Sequence, residues 1–285
     1  MSQEEIPESK YREIIDSFCL MDDEFMSKCF EDNIECTELV LHIILGNDDL
    51  EVQSVHAQHS MKNLQGRSIR LDVYATDRSG KKYNIEIQRS DKGADARRAR
   101  YNSSLIDANI LESGEDFDSL SETYVIFITE NDVLGGGKPI YHIERKIEEF
   151  GNKIFGDGSH IIYVNAQCRD NTPLGLLMQD FSCTSPNRMN YGILAERTRY
   201  FKEDKEGFST MSRIMEEFLK KETAKAAANA AAKAAAEAAE KAKWESNRAT
   251  ALRMLKIGKL SYEEIAEYSG LSLDEVKALA DKTPA

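Results

Sequence analysis

The sequence is short of paired cysteines, of long hydrophobic runs and of positive charge. Its five cysteines are an odd number and include no Cys-x-x-Cys pair, which argues against a disulfide framework and a zinc cage. No apolar run reaches the roughly 18 residues of a membrane-spanning helix. The acidic start, MSQEEIPESK, is not typical of a secretory signal. These absences predict a cytoplasmic protein with reduced thiols and no membrane contact.

The charge is unevenly distributed along the chain. The formal net charge of −13 does not favour nucleic acid as a partner. Residues 62–101, however, carry eleven Lys and Arg against five Asp and Glu. A basic island on an acidic protein is typical of a surface that binds polyanions. A solvated surface without a binding role accounts for the same charges, so charge alone does not decide between the two.

Composition divides the 285 residues into three parts. Residues 1–220 read as a mixed α/β domain. Residues 221–247 are almost pure Ala with Lys and Glu, and because Ala has the highest helix propensity they predict an exposed helical spacer. This spacer is also a candidate pairing surface for a homodimer. Residues 248–285 predict a small helical module.

Periodicity and end signals locate the elements of the first part, in the order α-β-β-β-α-β. One helix is predicted from Glu24 to Leu45, ended by the Gly-Asn-Asp that follows. Alternating apolar residues predict the next elements, which are strands at 52–58, 68–77 and 81–89 and a helix at 94–111. The segment TYVIFIT, residues 123–129, predicts a strand buried on both faces, and residues 160–166 predict another.

Two of these strands predict a hairpin whose register follows from its apolar residues. Pairing Val73 with Ile85 and Leu71 with Ile87 places all four side chains on one face. The pairing leaves residues 78–80 as a three-residue loop. Such loops require a left-handed residue at their end, and the last residue of this one is a glycine.

This register places Asp72 opposite Glu86 on the polar face, with Gln88 two residues further along. Carboxylates whose Cβ atoms are ~4.5–5.5 Å apart repel each other unless a positive charge lies between them. Acidic oxygens with no nearby Cys or His ligands favour Mg²⁺ or Mn²⁺ over zinc. An exposed face on which the two acids pair with Arg70, Lys81 or other basic residues remains the alternative.

Several segments resemble the PD-(D/E)XK nuclease family transposases, also called recombination-promoting nucleases. They are RLDVYATDRSGKKYNIEIQR, RRARYNSSLIDANIL, TYVIFITENDV and MQDFSC, and the likeness covers most of residues 20–220. Asp72 followed by Glu86-Ile87-Gln88 is similar to the D…ExK signature of that superfamily. The predicted order of elements resembles its restriction-endonuclease-like core. The resemblance implies a Mg²⁺- or Mn²⁺-dependent DNA endonuclease, acting in recombination or on mobile elements.

The resemblance also implies a role for individual acids. Asp72 and Glu86 would ligate the metal together with the backbone carbonyl of Ile87. Glu38 would be the acid of the first helix that helps to hold the metal or its bound water. Glu35, one helical turn earlier, is the competing candidate for that role.

Three further residues are expected beside the metal. Gln88 stands where the superfamily usually has Lys, and because an amide cannot accept a proton or carry charge it would only orient water or a phosphate oxygen. On the following helix Arg98 and Tyr101 are three residues apart and share a face, which the resemblance places next to the site for contact with DNA phosphate. Surface arginines beside a half-buried tyrosine are the alternative.

The last segment, KIGKLSYEEIAEYSGLSLDEVKALA, predicts a helix-turn-helix-like module. Gly258 ends one helix, and two Ser-x-x-Glu capping boxes, at Ser261 and Ser272, begin the next two. The second of these helices starts with Asp274 and Glu275, acids that a groove-reading helix should not aim at phosphates. A small assembly or docking module is therefore favoured over DNA contact.

Two other functions remain open. A catalytically inert nuclease fold that binds DNA or a protein partner would account for the missing lysine and the net charge of −13. Metal binding distinguishes this alternative from the nuclease, because an inert scaffold has no reason to keep two carboxylates opposed. A metal-dependent nuclease acting on RNA ranks lower, since the sequence has no aromatic stacking platform of the RRM type.

Overall fold

The computed structural model of the protein describes residues 8–63, 66–89 and 93–281. Asp91 and Lys92 of the predicted basic island, and residues 282–285, lie outside these ranges. Among the described residues the α-helices are α1 (Glu8–Ser17), α2 (Asp23–Phe30), α3 (Ile34–Leu45), α4 (Ala96–Ile110), α5 (Pro173–Phe181), α6 (Gly192–Glu203), α7 (Lys205–Ile257), α8 (Tyr262–Ser269) and α9 (Leu273–Asp281). The strands are β1 (Val52–Met61), β2 (Ile69–Asp77), β3 (Lys82–Gln88), β4 (Thr123–Thr129), β5 (Ile140–Ile143), β6 (Lys146–Ile147), β7 (Lys153–Ile154) and β8 (Ser159–Asn165).

Six of the strands form one mixed sheet in the order β1-β2-β3-β4-β8-β5. Strands β1, β2 and β3 are antiparallel, β3, β4 and β8 run parallel, and β5 is antiparallel to β8. Helix α4 connects the parallel strands β3 and β4, as such a crossover requires. The predicted α/β class and the order α-β-β-β-α-β are confirmed, and the ends of the predicted strands and of α4 lie within three residues of those predicted.

Hydrophobic side chains cover both faces of the sheet. One cluster joins the sheet to α1, α2, α3, α5 and α6, and a second joins it to α4. Strand β4 contributes Ile126 and Ile128 to the first cluster and Val125 and Phe127 to the second. Its uninterrupted apolar sequence is therefore explained by burial on both faces, as predicted.

The single helix predicted from Glu24 to Leu45 is wrong, because the structure has two helices there. Asp32, between α2 and α3, has a positive φ of 51°. Asn33 caps α3, and its side chain accepts a hydrogen bond from the Cys36 backbone N–H at 3.0 Å. Asp and Asn tolerate left-handed backbone and bond to nearby N–H groups, so the pair interrupts the helix. Helix α3 does end at Gly46, in the left-handed conformation.

The β2–β3 hairpin has the predicted register at its turn end and departs from it at the other end. Val73 pairs with Ile85, and the ladder continues to the turn, where Gly80 has a φ of 90°. The pairing predicted between Leu71 and Ile87 is absent from the ladder, which stops at Val73 although β2 continues beside β1. The hairpin is therefore open where the two acids lie.

The chain divides into two compact units, Met1–Met215 and Glu216–Ala285. In the second unit the end of α7 packs with α8 and α9 around four buried residues, Ala251, Ile265, Leu271 and Val276. The predicted spacer, residues 221–247, lies within α7, and its alanines are exposed. The three-part division and the helix-turn-helix-like character of the end remain predictions.

None of the described helices combines the length and apolar character that crossing a bilayer requires.

Candidate functional site

An open cavity of about 1130 Å³ lies at the open end of the β2–β3 hairpin. Among the described residues its charged lining consists of three aspartates and five arginines, which are Asp22, Asp23, Asp72, Arg67, Arg70, Arg89, Arg97 and Arg98. The backbone and side chains at the end of β3, Ile87 and Gln88, complete its floor. The cavity therefore brings together acidic oxygens and a part of the basic island.

Asp72 occupies the gap in the hairpin. Its Oδ2 accepts a hydrogen bond from the Ile87 backbone N–H at 3.0 Å. In a continued ladder that N–H would face the Leu71 carbonyl, so the Asp72 side chain replaces a backbone partner. The N–H and C=O of one strand residue point to the same side, so the Ile87 carbonyl also faces this gap.

Glu86 is fully buried, and only one of its two carboxylate oxygens has a hydrogen-bond partner. Its Oε2 accepts a hydrogen bond from the Arg98 guanidinium at 2.5 Å. Its Oε1 has no donor within hydrogen-bond distance among the described residues, although the Asn84 side chain and the Asp72 backbone N–H lie close enough to lower the pKa of this carboxyl group. A buried carboxylate oxygen without a donor is costly, and this marks Glu86 as an incomplete site.

Burial raises the pKa of both acids above the usual range for carboxyl groups. Loss of solvent, followed by the charge of Asp72, raises the pKa of Glu86 to about 7, although Arg98 opposes the shift. Loss of solvent raises the pKa of Asp72 to about 6, against the hydrogen bond from Ile87. Two neighbouring acids that resist ionisation together are typical of a functional pair.

The donor set fits a hard divalent cation. The carboxylates of Asp72 and Glu86 and the carbonyl of Ile87 are oxygen ligands, which Mg²⁺ and Mn²⁺ prefer. The unpartnered Glu86 Oε1 carries this fit, because a cation there would recover the cost of burying it. Across the described ranges no group of three or more His, Cys, Asp and Glu could hold a metal by itself. Further ligands would therefore be backbone oxygens and water.

Glu38 lies outside this cavity. Its Oε2 accepts a hydrogen bond from the Val52 backbone N–H at 2.7 Å, where β1 begins. Val52 pairs with Asp77, which is five residues along β2 from Asp72 and hence about 16 Å away. The structure therefore does not bring Glu38 to Asp72. The competing candidate, Glu35, is exposed in the first turn of α3 and does not line the cavity either.

The acids that do reach the cavity from a helix are Asp22 and Asp23, at the start of α2. Asp23 accepts a hydrogen bond from the Gln58 side-chain amide at 3.0 Å, and its charge contributes to the raised pKa of Asp72. Asp22 forms an ion pair with Arg89. Our sequence interpretation missed both aspartates. An Asp in front of a helical pattern is a common N-cap, and this could have moved the predicted helix start to include them.

Gln88 and Arg98 both lie in the cavity, and both contact Gly93. The Arg98 guanidinium donates to the Gly93 carbonyl at 2.8 Å, in addition to its bond to Glu86. The Gln88 Oε1 lies so close to Gly93 that a Cβ on that glycine would be 1.6 Å from it. A side chain at position 93 would therefore displace Gln88, a constraint that nothing in the sequence pattern indicated.

Tyr101 lines the cavity together with Arg98. Its hydroxyl accepts a hydrogen bond from the Asn63 side-chain amide at 3.0 Å and donates one to the Arg67 carbonyl. Both partners belong to the connection between β1 and β2. Tyr101 thus attaches this connection to α4, next to the arginines of the cavity.

A comparison with known families identifies the region that contains most of this site. Residues 37–172 match the model of a family described as PD-(D/E)XK nuclease family transposase. No curated protein and no solved structure matches the chain. The matched region includes Asp72, Glu86, Gln88 and Arg98, and the six-stranded mixed sheet is consistent with the fold of such nucleases. The match supports a nuclease associated with mobile elements, and residues 37–172 are similar to the PD-(D/E)XK nuclease family transposases.

Proposed function

We propose that the protein is a metal-dependent DNA endonuclease that hydrolyses phosphodiester bonds in recombination or on mobile elements. The observation that carries this proposal is the buried pair Asp72 and Glu86, with one carboxylate oxygen left unpartnered at the open hairpin. Five arginines line the same cavity, and guanidinium groups are complementary to phosphate. The family match supports the same chemistry.

Asp72, which lines the cavity, and its fully buried neighbour Glu86 would hold Mg²⁺ or Mn²⁺. Asp72, Glu86 and the Ile87 carbonyl are its proposed ligands, and Asp23 replaces Glu38 as the proposed helix acid that holds bound water. When bound, such a cation polarises a phosphate oxygen and lowers the pKa of a bound water. The protein's own contribution is to keep the carboxylates close together and largely dry, so that the bound cation has strong electrostatic effects.

Gln88, Arg98 and Tyr101 are the proposed substrate contacts. Gln88 orients a water or a phosphate oxygen through its amide, since it cannot accept a proton at neutral pH. The Arg98 guanidinium neutralises negative charge that develops on the scissile phosphate. Tyr101 keeps the β1–β2 connection, and with it Arg67, at the edge of the cavity.

The partners and location predicted from the sequence belong to this proposal. DNA is the proposed substrate, a preference over RNA that the family match supports. The exposed alanines of residues 221–247 support a homodimer formed through the helical spacer. The five cysteines are free, which supports a reducing, cytoplasmic location.

A catalytically inert nuclease fold that binds DNA or a protein partner is the second candidate. The ion pair between Arg98 and Glu86 favours it, because it already gives the buried carboxylate a positive partner. In that case the acids would be structural, and the arginines would bind a polyanion without cleaving it.

Cleavage of supercoiled plasmid distinguishes the two candidates. The purified protein is incubated with Mg²⁺, Mn²⁺, Ca²⁺ or EDTA, beside Asp72→Asn and Glu86→Gln. Nicking or linearisation with Mg²⁺ or Mn²⁺ that EDTA and both substitutions abolish is the expected result. Glu35→Gln, at an exposed position outside the cavity, is the matched control and should cut like the wild type. Intact plasmid under every condition, with DNA still bound, would favour the inert fold.

A further inference from the structure

Gln58 has a left-handed backbone in the middle of strand β1, with a φ of 52°. Strand residues ordinarily have φ near −120° to −140°. Gln has neither the freedom of Gly nor the short side chain that lets Asn and Asp adopt this conformation. Such residues persist only where the surrounding structure holds them, and they cluster at functional sites.

The unusual residue lies directly opposite Asp72. On β1 and β2, Ala57 pairs with Val73 and His59 pairs with Leu71, so that Gln58 falls opposite Asp72. No residue is inserted at this point, because the register is the same on both sides. The irregularity at Gln58 therefore changes the direction of the backbone without inserting a residue into the strand.

Both strands change faces at this point. Val55 and Met61, on β1, are six residues apart and would share one face of a regular sheet. They pack instead in different clusters, Val55 with α2 and α3 and Met61 with α4. On β2, Val73 packs in the cluster of Val55, whereas Leu71 packs in the cluster of Met61. The change of face coincides with the end of the β2–β3 ladder, where Asp72 turns to the Ile87 N–H.

The Gln58 side chain fixes a second acid of the cavity. Its Nε2 donates to the Asp23 Oδ1 at 3.0 Å. Within the described part of the chain, this carboxylate also lies 4.0 Å from Arg70, but both side chains are more than half exposed, and such ion pairs contribute little to stability. Gln58 therefore supplies the defined hydrogen bond that orients Asp23 in the cavity.

We propose that Gln58 is a positioning residue of the candidate nuclease site. Its left-handed backbone redirects β1 and β2 so that Asp72 fills the gap in the hairpin, and its amide holds Asp23 in the same cavity. This inference rests on the proposed function, because the placement of the acids matters only if they take a cation.

The first test is Mn²⁺ binding to Gln58→Gly, measured by isothermal titration calorimetry. Glycine keeps the left-handed backbone without strain but lacks the amide, so the variant should fold at least as stably as the wild type. Its Mn²⁺ affinity should fall about tenfold, at the lower end of the effect of residues that orient metal ligands. Gln53→Gly, at an exposed position five residues earlier in the same strand, where the register with β2 shifts, should leave the affinity unchanged.

A double substitution tests whether Gln58 acts through Asp23. In an Asp23→Asn background the amide no longer has a carboxylate to orient, so Gln58→Gly should have little further effect on Mn²⁺ affinity. Additive losses of affinity would overturn this route. Gln58→Val, whose branched side chain disfavours positive φ, should lose both affinity and stability.

The outcomes separate this inference from the proposed function. Wild-type protein that binds no Mn²⁺ overturns both. Wild-type protein that binds Mn²⁺, with Gln58→Gly binding equally well, overturns the inference and leaves the proposed function in place. A selective loss in Gln58→Gly, with Gln53→Gly unaffected, supports both.

Discussion

Each end of the β2–β3 hairpin buries a carboxylate, and the two carboxylates differ in whether their oxygens have hydrogen-bond partners. At the turn, Asp77 accepts hydrogen bonds from the Ser79 hydroxyl, the Lys81 backbone N–H and the Tyr83 hydroxyl at 2.8 to 2.9 Å. At the open end, Glu86 is more deeply buried and leaves one oxygen unpartnered. A buried acid with a complete set of donors stabilises the fold, whereas one with a missing partner indicates a ligand.

Asp180, in the segment MQDFSC that contributes to the family resemblance, belongs with Asp77 in this comparison. It is fully buried and accepts from the backbone N–H groups of Asn190 and Tyr191 at 2.7 and 2.8 Å. These bonds hold the chain in front of α6. Presence in a family-like segment therefore does not by itself make an acid part of the chemistry.

The largest expected effect is the loss of DNA cleavage when the acid Asp72, at the open end of the hairpin, is replaced. Asp72→Asn keeps the shape of the side chain and removes a charge that a cation needs, so plasmid nicking with Mg²⁺ should fall at least ~100-fold. Circular dichroism should show an unchanged fold. Asp77→Asn is the matched substitution at the turn and should cut at nearly the wild-type rate once folded. Equal losses in both variants would mean that the two ends do not differ in function.

Stability should show the reverse order. Asp77→Ala removes the acceptor for three donors at the turn and should lower the free energy of unfolding by about 2–3 kcal/mol. Urea denaturation in EDTA measures this loss. Asp72→Ala should lower the free energy of unfolding by less than this. Without a bound cation, burial disfavours the charged form of the Asp72 carboxylate. The comparison breaks if the cavity acid proves the more stabilising of the two.

The pH dependence of stability should show that Glu86 destabilises the metal-free protein. Its pKa is raised to about 7 by burial, from an ordinary value near 4.5, so above pH 7 the fold carries a charge that it disfavours. This destabilisation disappears as the pH falls toward 4.5. Glu86→Gln should therefore raise the free energy of unfolding by about 1–2 kcal/mol at pH 8, after the lost contact with Arg98 is subtracted, and by almost nothing at pH 5.

Urea denaturation in EDTA at the two pH values provides the measurement. A gain that is independent of pH would show that the substitution acts through packing and not through charge. A loss at pH 8 would show that the ion pair with Arg98 outweighs the burial of the carboxylate.

Arg98 should compete with the cation for Glu86. Its guanidinium lies 2.5 Å from Oε2 of the carboxylate whose Oε1 a metal would use, and a nearby positive charge repels a second one. Arg98→Met should therefore increase Mn²⁺ affinity about fivefold in calorimetry while cleavage falls, because the phosphate loses a positive partner. Arg97→Met, exposed in the same cavity and not in contact with Glu86, is the control. Weaker Mn²⁺ binding by Arg98→Met would instead make Arg98 a support for the carboxylate.

The features that the sequence predicted correctly depend on residues that are neighbours along one strand or across two paired strands. The register of Val73 with Ile85 and the turn at Gly80 followed from local alternation and loop geometry, which act wherever the hairpin forms. The opening beyond Val73 did not follow, because it depends on the backbone of Gln58 in another strand. Glu38 was placed at the site by the resemblance, whereas its carboxylate lies at the start of β1.

The same limit explains the acids that the sequence interpretation missed. Asp23 reaches Asp72 only because α2 is a separate helix whose start lies at the cavity. That arrangement depends on the break at Asp32 and Asn33, which the apolar periodicity of the segment obscured. Which residues form a site depends on how the whole chain packs, and the spacing of residues along one element does not reveal it.

The smallest expected effect concerns Gly93, a position that no sequence pattern singled out. Its φ is not in the left-handed region, so Gly93→Ala is compatible with the backbone and should change the free energy of unfolding by less than about 0.5 kcal/mol. The new Cβ would occupy the place of the Gln88 amide, so the cleavage rate should fall about three- to fivefold at unchanged Mn²⁺ affinity.

Two variants make this prediction specific to Gln88. Gly192→Ala, at a glycine with an ordinary φ and open space around it, is the control and should cut like the wild type. In a Gln88→Ala background the methyl group of Gly93→Ala has no amide to displace, so it should have no further effect on the rate. A rate that falls equally in that background would place the effect at the Arg98 contact with the position 93 carbonyl, and Gln88 would then lose its proposed part in orienting water.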